Sequence, residues 1–304
     1  MLTRRTFMKL AGGGLLSASA LGSYAFGFEP LVRLQTTYYQ PYIKDWPSGL
    51  KLRIAALADL HACEPWMSVD RIRQIVERTN ALNPDLIVLL GDYTTGMNLV
   101  TDQVHSSEWA PVLGELEAPL GVHAVLGNHD WWEDKTAQRT RKGPTFVHRA
   151  LGKAGINVLE NDAVKLKHGK ESFWLAGLGD QLAFPPYRRF KHKRWARMDD
   201  LPGTMEKIKG DEPVILLAHE PDIFRKVDER VALTLSGHTH GGQVRLMGYA
   251  PITVSGQKYN YGHVVEGKKH LIVSGGLGCS MLPVRFGSPP EIVLVEPKPQ
   301  QLVS

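Results

Sequence analysis

"VALTLSGHTHGGQ", residues 231 to 243, runs an apolar stretch straight into a glycine-framed pair of histidines. Val231 to Leu235 predicts a strand. Side chains along a strand alternate between its two faces, so His238 and His240 project to the same side, at its carboxyl end. Gly237, Gly241 and Gly242 permit a tight loop and let a ligand or another backbone come close. By itself one His-x-His pair suits a metal site and a pair of polar loop histidines equally well. The surrounding chain has to decide between them.

The same construction recurs along the chain. The periodicity predicts strands at 51–58, 85–90 and 121–126, further strands in "INVLEND" (156–162) and "SFWLAGLG" (172–179), and then "PVILLAH", "VALTLSGH" and "KHLIVSGG". Between them lie predicted helices at 69–82, with Val69, Ile72, Ile75 and Val76 on one face, at 145–154 and at 222–227. Apolar strands that alternate with helices imply an α/β fold whose sheets are covered on both faces. With 43% hydrophobic and 22% charged residues in 304, the chain can bury a full core.

The residues just past the strands are chemically uniform. "LADLH" places Asp59 and His61 two apart, "LLGDY" places Asp92, "VLGNHD" places Asn128, His129 and Asp130, "LLAHEP" places His219, and "LSGHTH" places His238 and His240. Five strands thus end in Asp, Asn or His at their carboxyl ends, where α/β folds hold ligands. Two carboxylates, one amide and four histidines suit two borderline-hard divalent cations, and the only two cysteines, Cys63 and Cys279, make no thiolate site. A bridging carboxylate holds two such cations about 3.5–4 Å apart, the spacing used for in-line attack at phosphorus. Two dications against Asp59, Asp92 and a hydroxide leave the pocket net positive by about one charge, which attracts phosphate.

These blocks, in this order from residue 59 to 240, resemble the signature of the calcineurin-like metallophosphoesterases: Asp-x-His, Gly-Asp, Gly-Asn-His-Asp, a lone His and Gly-His-x-His. The resemblance implies two packed mixed β-sheets flanked by helices, a four-layer α/β/β/α arrangement. It implies that Asp59, His61 and His240 hold a first metal, that Asn128, His219 and His238 hold a second, and that Asp92 bridges them. The metals would be two divalent ions per chain, of Mn, Fe or Zn type. The attacking group would be a bridging hydroxide on a phosphoester substrate, with His129 facing the substrate as catalytic acid and Asp130 orienting that imidazole or a ligand. A phosphodiesterase is the first expectation. A phosphomonoesterase and a pyrophosphatase acting on a nucleotide-linked lipid are the alternatives within the class, and a non-catalytic scaffold would be expected to have lost ligands. The "HTHGGQ" loop and the tail "GGLGCSMLPVRFGSPPEIVLV" (275–295) look like the bacterial branch that includes exported phosphodiesterases.

The N-terminus agrees with that branch. "TRRTFMKLAGGGLLSASALGSYA" (3–25) sets twin arginines before a mild apolar stretch and small residues, which resembles a twin-arginine export signal. Leu10 to Leu21 is too short to span a bilayer as an ordinary helix. The chain is therefore expected to consist of a signal or anchor segment at 1–25, a connecting segment at 26–50 and the metallophosphoesterase domain at 51–304, exported through the twin-arginine machinery to the periplasm or envelope. Three of the five net positive charges (Arg4, Arg5, Lys9) belong to that segment, so bulk charge points to no nucleic-acid partner. The segment 187–197 carries six Lys or Arg with Phe190 and Trp195, which reads as a solvated loop or as a membrane-surface contact. Cys63 and Cys279 are expected near one mouth, as a disulfide or as two thiols. Trp131 and Trp132 line a substrate wall or pack under the adjacent loop.

Overall fold

The computed structural model of the chain describes residues 3–186 and 196–300. Among these, two six-stranded mixed sheets organise the molecule. The first runs Gln35–Tyr39, Glu291–Val295, Ile54–Leu57, Leu86–Leu89, Val122–Ala124, Asn157–Val158 in spatial order. Its last four strands are mutually parallel, and Glu291–Val295 runs antiparallel to Ile54–Leu57. The second runs Gly262–Glu266, Lys269–Val273, Val231–Ser236, Val214–Leu217, Glu171–Gly177, Asp162–His168. Its inner pairings are parallel and both edge strands are antiparallel.

Alternation along each strand feeds two cores at once. Ile54, Ala56, Leu86 and Val88 meet Leu175, Ile215, Leu217, Leu233 and Ile272 in the layer between the sheets. The intervening Ala55, Leu57, Ile87 and Leu89 face the helices Val69–Asn80, Ser106–Leu113 and Phe146–Lys153. On the far side Ala176, Val214, Leu216, Leu271 and Val273 pack on Ile223, Phe224 and Tyr259. Three cores between four layers is the expected helix–sheet–sheet–helix stack. Ser68 caps the helix Val69–Asn80 by accepting from Arg71 N–H, and Ile72, Ile75 and Val76 form its buried stripe. Each such buried aliphatic side chain contributes about 1.5–3 kcal/mol.

The chain departs from the sequence pattern in identifiable places. "INVLEND" is two elements: Asn157–Val158 closes the first sheet, Asn161 turns with φ 53°, and Asp162–His168 opens the second. Leu159 lies between them in the inter-sheet core, so an unbroken apolar pattern conceals a crossing from sheet to sheet. Within the stretch 26–50, predicted to connect, Gln35–Tyr39 is the edge strand of the first sheet, paired in parallel with Glu291–Val295. Its side chains are mostly half-buried, so no apolar run announces it. The short helix predicted at 222–227 is a 3-10 turn, Pro221–Arg225. The N-terminal helix Arg4–Ser23 buries none of its residues.

The edge hairpin of the second sheet carries a stacked imidazole pair, His263 and His270, with ring centroids 5.2 Å apart. Burial, then His263, pushes His270 down to about 4. An unfolded His270 takes up its proton near 6.5, and the folded one only near 4, so its contribution to stability is lost as pH falls through that window. His270→Gln is expected to flatten the dependence of the urea midpoint on pH between about 6.5 and 4 relative to the native chain. Parallel curves for the two proteins would remove the pair from the acid response.

Candidate metal centre

Strands 54–57, 86–89 and 122–124 of one sheet and 214–217 and 231–236 of the other end at the same edge of the stack, and the residues singled out in the sequence blocks lie just beyond them, Asp59, His61, Asp92, His219 and His238 on loops, Asn128, His129 and Asp130 in the short helix Asn128–Trp132 and His240 in the 3-10 turn His240–Gly242. Backbone bonds fuse these loops: Asp59 N–H donates to Gly91 O, His61 N–H to Asp92 O, and Gly237 N–H to His219 O. Asp59, His61 and His240 present ligand atoms within 4.8 Å of one another, and so do Asp92, His219 and His238. Asp92 Oδ2 stands between the two sets, 3.6 Å from His61 Nε2 and 3.2 Å from His219 Nε2. Its Oδ1 accepts from His129 N–H at 2.9 Å.

The donor chemistry fits divalent cations. His61 Nδ1 lies 2.9 Å from Thr94 O and His219 Nδ1 2.7 Å from Leu90 O, and a carbonyl only accepts, so in both rings Nδ1 carries the hydrogen and Nε2 faces the site. Burial pushes His61 down to about 3, and burial, His61 and Arg285 hold His240 well below its ordinary value, so both rings are neutral at physiological pH. Yet His61 Nε2 and His240 Nε2 are 3.1 Å apart, and His238 Nδ1 and His219 Nε2 3.3 Å. Bonds of about 2.0–2.1 Å from each nitrogen to a shared cation produce such spacings. Asn128 Oδ1 is buried with no hydrogen-bond partner, an acceptor left for a cation. Without added positive charge the site is electrostatically incomplete: burial raises Asp59 to about 7, against the pull of His219. Burial opposes charge on His219 too, but Asp92 and Glu220 outweigh it and raise the imidazole well above its usual value. Asp92 itself is held well below the carboxylate range, His219 and His129 overcoming the cost of burial.

His129 is partly exposed, stacked edge-on to His61 at 5.0 Å and tilted against Trp132 at 4.9 Å. Its Nδ1 has no partner. Gly96 leaves the room for it, since a Cβ there would lie 2.2 Å from the ring. Trp132 thus lies against His129, whereas Trp131 is fully buried against Phe184. Of the two roles expected for Asp130, orienting the imidazole or a ligand, its hydrogen bonds reach the backbone of the candidate ligand Asp92 and not the His129 ring. Its carboxylate accepts from the backbone N–H of Asp92, Tyr93 and Gly127, each at 2.9 Å, and from Thr94 at 3.3 Å. Cys63 and Cys279 are both buried and free. Residues 187–195 of the basic segment lie outside the described residues, and Arg197 is bound to Asp199 through Nε and Nη2.

Three features are absent from the sequence pattern. Arg285 is fully buried and donates to the carbonyls of Gly275, Gly278 and Ser288, behind His240. Glu29, from before the first strand, is fully buried and accepts from Gly287 and Ser288 N–H. Asp180 and Glu220 form a buried carboxylate pair beside His219, and burial and Glu220 push Asp180 well above its ordinary value. Arg285 does lie within the tail 275–295. Glu220 stands directly after His219 in "LLAHEP" and Asp180 directly after the strand predicted at 172–179, while Glu29 has no such signal.

Residues 52–242 match the family model described as calcineurin-like phosphoesterase. The chain is 32% identical over 96% of its length to the Bacillus subtilis protein called uncharacterized metallophosphoesterase YkuE, covering 96% of that protein. It is 29% identical over 97% of its length to Escherichia coli phosphodiesterase YaeI, covering 99% of it. Among solved structures, a dimetal phosphatase from Danio rerio superposes with a TM-score of 0.39 at 14% identity, over 74% of this chain and 88% of that one.

Asp130→Ala leaves three or more buried N–H groups without an acceptor, at about 1–3 kcal/mol each. Denaturant unfolding is expected to show a loss of more than about 3 kcal/mol, and Asp130→Asn a loss as well, since its amide nitrogen would face N–H donors. A variant as stable as the native chain would mean that the loops hold without this carboxylate.

Proposed function

Because this chain belongs to the calcineurin-like phosphoesterase family, we propose that it hydrolyses phosphate diesters with two divalent cations held by the seven residues at the sheet edge. The observation that carries this reading is the placement of Asp92 Oδ2 between His61 Nε2 and His219 Nε2. Asp59, His61 and His240 form the first binding set and Asn128, His219 and His238 the second, with Asp92 shared. When bound, the cations supply a nucleophile by lowering the pKa of water and offset charge on the phosphoryl oxygens. His129 donates a proton to the leaving oxygen from its partly exposed ring, which Trp132 steadies. A groove of about 640 Å³ lined by Thr94, Thr95, Gln103, His105 and Lys135 adjoins His61 through Ala62 and offers room for a leaving group. The name of YaeI favours diesters over monoesters.

In the same reading the segment 1–25 serves as a twin-arginine signal or anchor, which brings the domain to the envelope and makes a lipid-linked phosphoester an accessible substrate. The basic segment 187–197 is a second point of approach to such a surface.

Metal content and turnover separate these roles. Asp92→Asn is expected to lower occupancy at both positions, and Asn128→Ala mainly at the second. Full occupancy of two metals in the Asp92 variant contradicts the bridge. His129→Ala is expected to keep its metals and lose about 10²–10⁴ in turnover. That loss should shrink for nitrophenyl esters, whose leaving group needs little protonation, and an equal loss for all esters would leave His129 an electrostatic role only.

Cell fractionation tests the export step. With Arg4→Lys and Arg5→Lys together the protein is expected to stay in the cytosol. Unchanged export of that double variant would rule out the twin-arginine route.

A further inference from the structure

Three stretches remote in sequence meet beside the turn that carries His238 and His240. Gly242 is pressed against the loop at 250–252: a Cβ there would lie 2.6 Å from Ala250 Cβ and 2.8 Å from Ile252 O. Gln243 donates through Nε2 to Leu282 O and accepts at Oε1 from Ser280 N–H. Arg245 N–H donates to Phe286 O, and Phe286 N–H to Gln243 O. Arg285 N–H reaches Ala25 O, and Tyr24 packs edge-on against Phe286 at 5.9 Å. The helical run from Arg4 is thereby joined to the loops 244–258 and 276–290.

This junction displays its apolar side chains to solvent. Met247 is fully exposed, Ile252 78% exposed and Met281 80% exposed, with Tyr249, Val254 and Leu282 also exposed. Phe7, Leu15 and Leu16 on the adjoining helix have no buried face to pack on. Apolar side chains gathered at this density mark a contact surface. Charge identifies its counterpart. The stretches 3–28, 244–258 and 276–290 contain no Asp or Glu at all, while Arg4, Arg5 and Lys9 are exposed. No helix among the described residues is long and apolar enough to cross a membrane. A basic segment without acidic residues is attracted to an anionic membrane surface.

We propose that the loops 246–254 and 281–282, with the N-terminal helix that leads into Tyr24 at this junction, dock the protein on an anionic lipid bilayer with the metal-site turn next to the membrane surface. The apolar loop residues insert among head groups, and Arg4, Arg5 and Lys9 lie against lipid phosphates. The consequence for substrate rests on the phosphoesterase reading above. The site is then presented with an amphiphile whose phosphate lies in the head-group layer.

The test is flotation of the full chain with vesicles made of equal parts phosphatidylglycerol and phosphatidylcholine, beside vesicles of phosphatidylcholine alone. The native chain is expected to float with the anionic vesicles, less so in high salt. The triple variant Met247→Ser, Ile252→Ser, Met281→Ser is expected to partition about tenfold or more weakly while hydrolysing a soluble nitrophenyl ester at the native rate. A native chain that stays with the solvent at low salt overturns the proposal. So does a triple variant that floats as well as native, which would leave the helix as the sole contact. A dimer by light scattering that dissociates in the variant, with no vesicle binding by either, assigns the surface to a second copy and also overturns it. Vesicle binding needs no catalysis, so a chain that floats but cleaves no ester refutes the enzymatic reading and leaves the docking surface standing.

Discussion

The carboxylate of Asp130 is the constraint on which the site depends. One side chain collects N–H groups from Asp92, Tyr93 and Thr94 on one loop and from Gly127 on another. It thereby sets the register between the carboxyl ends of two neighbouring parallel strands. Burial and Asp92 push Asp130 up to about 7, and the N–H donors pull it back towards the charged form. The same loops are too close for side chains where they touch: a Cβ on Gly127 would lie 2.3 Å from Asp92 Oδ1, and one on Gly91, at φ +97°, 2.6 Å from Gly127 N. Glycine at both positions lets the backbones close on the carboxylate, and that closure aims Asp92 at both histidine sets.

Such aim has a conformational cost. Asp59, His61, Asp92, His238 and His240 all adopt left-handed backbone, with φ between 50° and 70°. Each costs on the order of 1–3 kcal/mol for a residue with a Cβ. Strand hydrogen bonding ends where these residues begin, so the strain is confined to loops that the two sheets hold from below. The inter-sheet layer of Ile, Leu and Val is therefore the foundation of the site as well as the core of the fold. It also explains why the groups face inward with unmatched polarity. The His61 and His240 rings held neutral by burial, the unpartnered Asn128 Oδ1 and an Asp59 raised to about 7 are groups that a cation among them would match.

The catalytic loops were legible in the sequence because their chemistry demands particular residue types at fixed distances from apolar strands. Each of Asp59, Asp92, Asn128, His219 and His238 follows a run whose residues are wholly buried or nearly so. Elements whose burial is mixed were silent. Gln35–Tyr39 is an edge strand of polar and tyrosine residues, and Gly262–Glu266 alternates exposed and half-buried positions after its first residue. The crossing at Leu159 was hidden for the opposite reason, an apolar pattern that continues through a change of sheet. Asp130 shows a limit of another kind. Its place in the block predicts a carboxylate near the metals, but only the folded chain reveals that its partners are backbone N–H groups.

The N-terminal region divides by the same physical criterion. Up to Ser23 the helix buries nothing, so its removal takes no surface out of the core. From Tyr24 onward the chain belongs to the structure around the site. Ala25 O accepts from Arg285 N–H, and Glu29, with no exposed surface, holds Gly287 and Ser288 by their N–H groups. Ser288 in turn donates its hydroxyl to His240 O, and Arg285 supports Gly275 and Gly278, over Asp59. A break before Tyr24 leaves this chain of contacts whole. A break after Glu29 removes the acceptor that holds the loop behind His240, so the support of the site begins within the segment 24–29.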